Sequence, residues 1–169
     1  MNTEQLATLE EQWLNKQRSL IGDRDRLYEQ AGVYAAWREI FGQYADLAQN
    51  GDQEALKRAL YLLWATHSIG PLMTGIKDLD EEAVRGVLGL ADRLAANSQL
   101  DAELDWMLPY YYVVDRVYLD RFEDLDALKR ASSQHPFLYR QQCLESRFDH
   151  RGQMGEYWRT EQTYLQRWL

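Results

Sequence analysis

Two ionisable residues sit on stripes that are otherwise apolar, and any chemistry in this chain would start from them. Asp115 lies within Tyr110-Tyr111-Tyr112-Val113-Val114-Asp115-Arg116, seven residues from Leu108 and seven from Phe122. On a helix that spacing puts the carboxyl in the same seam as both apolar residues. A carboxylate withdrawn from water is costly and needs a partner. A carboxyl held among apolar neighbours is one way a ligand-binding or acid–base group is made. His67 follows Leu63 and Trp64 on another apolar stripe. If His67 and Asp115 met, the carboxylate would orient the imidazole for proton transfer. Trp64, His67, Tyr111 and Asp115 therefore form a candidate pocket. The plain alternative is that each polar group is a core residue satisfied by a neighbouring Tyr, Trp or Arg.

A second constellation lies near the C-terminal end, in Asp149-His150-Arg151-Gly152-Gln153-Met154-Gly155-Glu156-Tyr157-Trp158-Arg159. Two glycines three apart allow a tight loop that presents backbone amides at the start of the following helix. Arginine beside aromatic residues is also the mixture found at interface hot spots. Three consecutive tyrosines, Tyr110 to Tyr112, point about 100° apart on a helix, so at least one faces a surface or groove. Tyr110, Arg151, Tyr157, Trp158 and Arg159 form the candidate interface, against the alternative that Trp158 only docks the last helix.

Other chemistries find less support. His67, His135 and His150 are far apart, and no HExxH or CxxC spacing occurs, so no metal or other cofactor is expected. Cys143, between Gln142 and Leu144, lacks the basic neighbours that would make it a nucleophile. As the only cysteine it excludes an internal disulfide and points to a reducing, cytoplasmic setting. Residues 1–5 show no basic-then-apolar secretory pattern, and the apolar stretch Ala59–Ile76 is interrupted by His67, Gly70 and Pro71. Neither secretion nor membrane insertion is expected.

The elements that must hold these residues are helical. Three prolines and ten glycines leave little material for the turns of a β fold, while 46% hydrophobic residues suffice for a core. At 169 residues the chain fits one helical domain, 1–169, with 149–169 as a loop and an aromatic-rich helix docked on the body. Thr3 caps a first helix carrying Leu6, Leu9, Trp13 and Leu20, and a longer helix then runs to Ala48. Asp52 and Asp80 start the third and fourth helices. Met73–Lys77 reads as a loop between them. A fifth segment runs from Asp101 to Phe122, although Pro109 and the strand-favouring Tyr110–Val114 compete with helix there. Helices over 124–131, 137–148 and 156–168 complete an all-α, antiparallel domain of six to eight helices. The rhythm suggests helical hairpins in a solenoid-like arrangement, but the capping aspartates are spaced irregularly, against a fixed repeat.

The net charge of −8 disfavours nucleic acid as a partner, since phosphates need a basic face. The surplus is concentrated: residues 78–126 hold thirteen acids against four bases, a net of −9. A field of one sign steers an oppositely charged partner. The expected function is thus a non-catalytic binding or regulatory module with a basic protein partner, as immunity proteins, antitoxins and adaptors act. A homo-oligomer is also open. The alternative is a small-molecule-binding protein or enzyme built on His67 and Asp115.

Overall fold

The computed structural model describes residues 1–167, and all regular structure among them is helical. Helix α1 (Thr3–Ser19) is started by Asn2, whose side chain accepts from the Gln5 amide while the Gln5 side chain accepts in return. That reciprocal cap frees Thr3 to donate its hydroxyl to Asp52, 2.5 Å away. The long second helix expected up to Ala48 is instead two: α2 (Arg24–Ala31) and α3 (Val33–Gln49). Gly32 breaks it by taking a left-handed φ of +74°, and the apolar stripe resumes beyond.

Asp52 and Asp80 cap α4 (Gln53–Ser68) and α6 (Glu81–Ala96) through the Ala55 and Ala83 amides, as the sequence indicates. Between them the stretch expected as loop contains one helical turn, α5 (Pro71–Thr74). The Asp101–Phe122 segment is helical, not strand, but it is interrupted: α7 (Leu104–Val114) and α8 (Val117–Asp120) flank an extended Asp115. Short helices α9 (Asp126–Ser132) and α10 (Tyr139–Glu145) follow. Helix α11 (Gly152–Gln166) starts four residues before the expected Glu156, taking both glycines into its first turn. The end of the expected helix, Trp168, lies outside the described residues together with Leu169. Eleven helices are therefore described where six to eight were expected; α5 and α8 are single turns.

Helices α1 and α3 pack antiparallel, through Trp37–Gln17 and Tyr44–Glu10. Four helices, however, share one direction. Thr3 pairs with Asp52, 49 residues on; Lys57 with Glu103, 46 on; Trp64 with Tyr111 and Ser68 with Asp115, both 47 on. Arg151 pairs with Glu103 and Tyr157 with Tyr110 at separations of 48 and 47. A nearly constant offset means that α1, α4, α7 and α11 lie parallel, with the other helices returning the chain between them. Helix α11 then packs on both α4 and α1, so the last helix closes onto the first. A solenoid would leave its two ends apart. Helix α4 is central, with every residue from Ala55 to Ala65 buried.

Candidate functional site

The four residues of the predicted pocket divide into an inner and an outer pair. Trp64 and Tyr111 are buried and stacked, with ring centroids 4.7 Å apart. The Trp64 indole donates to the Tyr111 carbonyl at 3.1 Å, and the Trp158 indole to the Tyr111 hydroxyl at 3.1 Å. Every polar atom of this aromatic cluster that those bonds reach is satisfied, as buried groups require.

His67 and Asp115 are outside it. Asp115 adopts φ −152° at the end of α7, so it leaves the apolar seam that an unbroken helix would have put it in. Its carboxylate accepts from the Val117 amide at 2.9 Å, starting α8, and from the Ser68 hydroxyl at 3.2 Å. His67 is exposed at the end of α4 and makes no hydrogen bond to Asp115. Partial desolvation and the Arg121 charge lower its pKa, while Asp115 acts on it the other way. Thus the predicted pocket is not assembled: two members are packed core, two are a surface helix junction. The four clefts described among residues 1–167 are lined by other residues.

The predicted interface residues mostly face inward. Trp158 is fully buried and stacks on Phe148, and the Tyr110 and Tyr157 hydroxyls are hydrogen-bonded to each other. Arg159 is exposed but donates to the Phe148 carbonyl at 3.0 Å. These residues dock α11 on the body, the plainer of the two readings of this segment.

Arg151 leads to a polar site that no sequence motif marks. Its guanidinium bridges Glu54 and Glu103, and Lys57 reaches Glu103 at 2.5 Å, Glu54 at 3.2 Å and Asp101 at 3.3 Å. Burial alone would raise the Glu54 pKa, but Arg151, Lys57 and Arg58 outweigh it and hold it at about 2. Lys57 keeps its proton for the matching reason: Glu103 and Glu54 overcome its desolvation. Arg58 extends the site inward, pairing with Glu54 at 3.0 Å and donating to the Tyr44 hydroxyl at 3.0 Å.

At the inner end sits Glu10, only 1% exposed. Tyr44 donates to its Oε1 at 2.5 Å, the Gln153 amide to its Oε2 at 2.9 Å, and Arg58 stands 3.7 Å off. Helix α11 has no side-chain cap of its own, so Glu10 caps it from α1. Burial pushes the Glu10 pKa up to about 7, against the lowering effects of Tyr44, Gln153 and Arg58. A carboxyl that titrates near neutrality is suited to acid–base work. Here, both oxygens are engaged and a Cβ at Gly152 would fall on the carboxylate, so the group holds protein rather than substrate. The sequence does carry one signal of this site. Lys57 and Arg58 lie inside a helix that is apolar around its whole circumference, and buried charges require partners.

The surface offers two contrasting regions. Near the ends of α4 and α7, Leu72, Met73, Val113, Val114 and Val117 are exposed large apolar residues. Around the start of α6 and the link between α8 and α9, Asp78, Asp80, Glu81, Glu82, Glu123, Asp124 and Asp126 are exposed carboxylates. Arg85 joins the two acidic stretches, pairing with Glu81 at 3.7 Å and lying over the Phe122 ring at 5.2 Å.

Comparison with known protein families, curated proteins and solved structures gives no match to this chain. No helix among the described residues is long and apolar enough to cross a membrane.

Proposed function

We propose that the protein is a non-catalytic binding module whose exposed carboxylates, from Asp78 to Glu82 and from Glu123 to Asp126, engage a basic protein partner. The observation that carries this reading is how the acidic surplus divides. Part of it is already used within the fold. Asp92 accepts from the Leu128 amide, Asp101 and Glu103 hold Lys57, Asp115 caps α8, and Asp120 pairs with Arg116 and Tyr112. Asp78, Glu82, Glu123, Asp124 and Asp126 have no such pairing among the described residues and share one region through Arg85 and Phe122. Unpaired like charges on neighbouring elements repel one another, so a cationic surface that neutralises them is favoured. The same sign disfavours phosphate-bearing partners. A reducing, cytoplasmic setting accords with the single thiol, Cys143, which is buried and pushed up to about 12 by that burial.

Less stands behind the pocket alternative: Trp64 and Tyr111 stack on each other, the part-buried Asp115 carboxylate is taken up by Ser68 and Val117, and His67 is exposed. The test compares the wild-type chain with Glu82→Gln/Glu123→Gln/Asp124→Asn/Asp126→Asn in copurification and in titration with the recovered partner. A basic partner, bound more weakly by the variant and by both chains as salt rises, is the expected result. Partners indifferent to charge and salt would sink the proposal.

A further inference from the structure

The seam where α11 closes onto α1 is built around one carboxyl group. Glu10 receives the α11 backbone through Gln153, and the Gln153 side chain donates to the Thr74 carbonyl at 2.6 Å. The groups facing Glu10 come from every element packed on it. Tyr44 belongs to α3, Arg58 and Tyr61 to α4, and Glu156 to α11; Arg58 also binds the His150 carbonyl just before α11. Arg58 is shared with Glu54 and stands farther from Glu10 than a hydrogen bond, while Tyr44 and Gln153 donate as neutral groups. The remaining surface ties across the seam are exposed: Arg18 with Glu156 at 2.5 Å and His150 with Glu11 at 3.5 Å. Gly152, at φ +55°, leaves no room for a Cβ between helix and carboxylate. Lifting α11 therefore pulls Arg151 away from Glu54 and Glu103 and returns Glu10 to water. Glu54 and Glu103 are held ionised well below neutrality, so of these three carboxyls it is Glu10 whose proton is linked to the lift near neutral pH.

We propose that Glu10 is a proton-controlled latch for the closing helix, docking α11 more tightly when protonated and loosening it when the carboxyl is ionised. The sign follows from linkage. The docked state holds the proton more tightly than the open state, where Glu10 is an ordinary solvated carboxyl. Raising the pH through the interval between the two pKa values therefore favours opening. The folded value of about 7 places that interval between mildly acidic and neutral pH. Ionised Glu10 still accepts from Tyr44 and Gln153, so the latch weakens without being cut.

The test is hydrogen exchange of the α11 amides, corrected for intrinsic rates, between about pH 5.5 and about pH 7.5. The opening equilibrium of wild-type α11 is expected to rise roughly 20-fold across that range. In Glu10→Gln, which keeps the shape and carries no charge, it should stay flat. A flat wild-type profile, or a Glu10→Gln profile as steep as wild type, overturns the proposal. Should the variant not fold, carbon-detected titration of the Glu10 carboxyl in the wild-type chain decides the matter. A midpoint near neutrality supports the latch, and one in the ordinary carboxylate range overturns it.

Discussion

Glu54 and Glu10 are both carboxylates withdrawn into the fold at the Arg58 side chain, yet their surroundings drive them in opposite directions. Glu54 is contacted by three cations, Arg151, Lys57 and Arg58, and stays ionised far into acid. Glu10 has neutral donors and a share of one cation, and burial prevails. Depth alone does not set the charge of a buried acid. What decides is whether the charges lent to it exceed the hydration it has lost.

Removing the excess cation should have the largest effect. Arg151→Gln leaves Glu103 with Lys57 alone, which it must share with Glu54, and should cost about 3–5 kcal/mol in urea unfolding at neutral pH. A loss below about 1 kcal/mol would mean that the two regions do not differ as described. Next comes the pH profile of stability. Glu54 has a depressed folded pKa, so its contribution is present above about 4.5 and lost as the pH falls towards 2. Glu10 has a raised one, so its contribution is present below 4.5 and lost as the pH rises through about 7. Unfolding free energy measured across pH should therefore peak in mild acid, with the Glu10 limb worth about 3 kcal/mol and missing in Glu10→Gln. Gly152→Ala should cost about 2 kcal/mol, combining the left-handed φ with contact against Glu10, and would confirm that the seam is tight. Smallest is His67→Gln, a titratable side chain outside both regions, expected within about 0.5 kcal/mol by thermal unfolding.

These contrasts also explain what could be read from the residues in advance. Helices α4 and α6 are legible because their caps, Asp52 and Asp80, act within three residues of themselves. The break at Gly32 is not, since the apolar period continues on both sides of a glycine that a helix would tolerate. Asp115 illustrates the same limit. Its spacing fits the seam, but a short-range bond to the Val117 amide ends the helix first. Trp64 and Tyr111, offered together as pocket lining, meet as two stacked rings. Glu10 shows no local signal at all, because Tyr44, Arg58 and Gln153 are 34, 48 and 143 residues away. Only folding brings its neighbours together.

That last separation bears on the order in which the chain is assembled. Helices α1, α3 and α4 follow one another closely and can associate as each emerges from a ribosome, whereas the Glu10–Gln153 bond closes a loop of most of the chain. With α11 undocked, Glu10, Tyr44 and Arg58 would stand at an open edge beside the rings of Tyr61 and Trp64, which Tyr157 packs against in the folded chain. Such a state would expose a wet charged cleft next to an aromatic one. Refolding experiments should therefore find a late, single closing step, with its rate most sensitive to changes on either side of the seam.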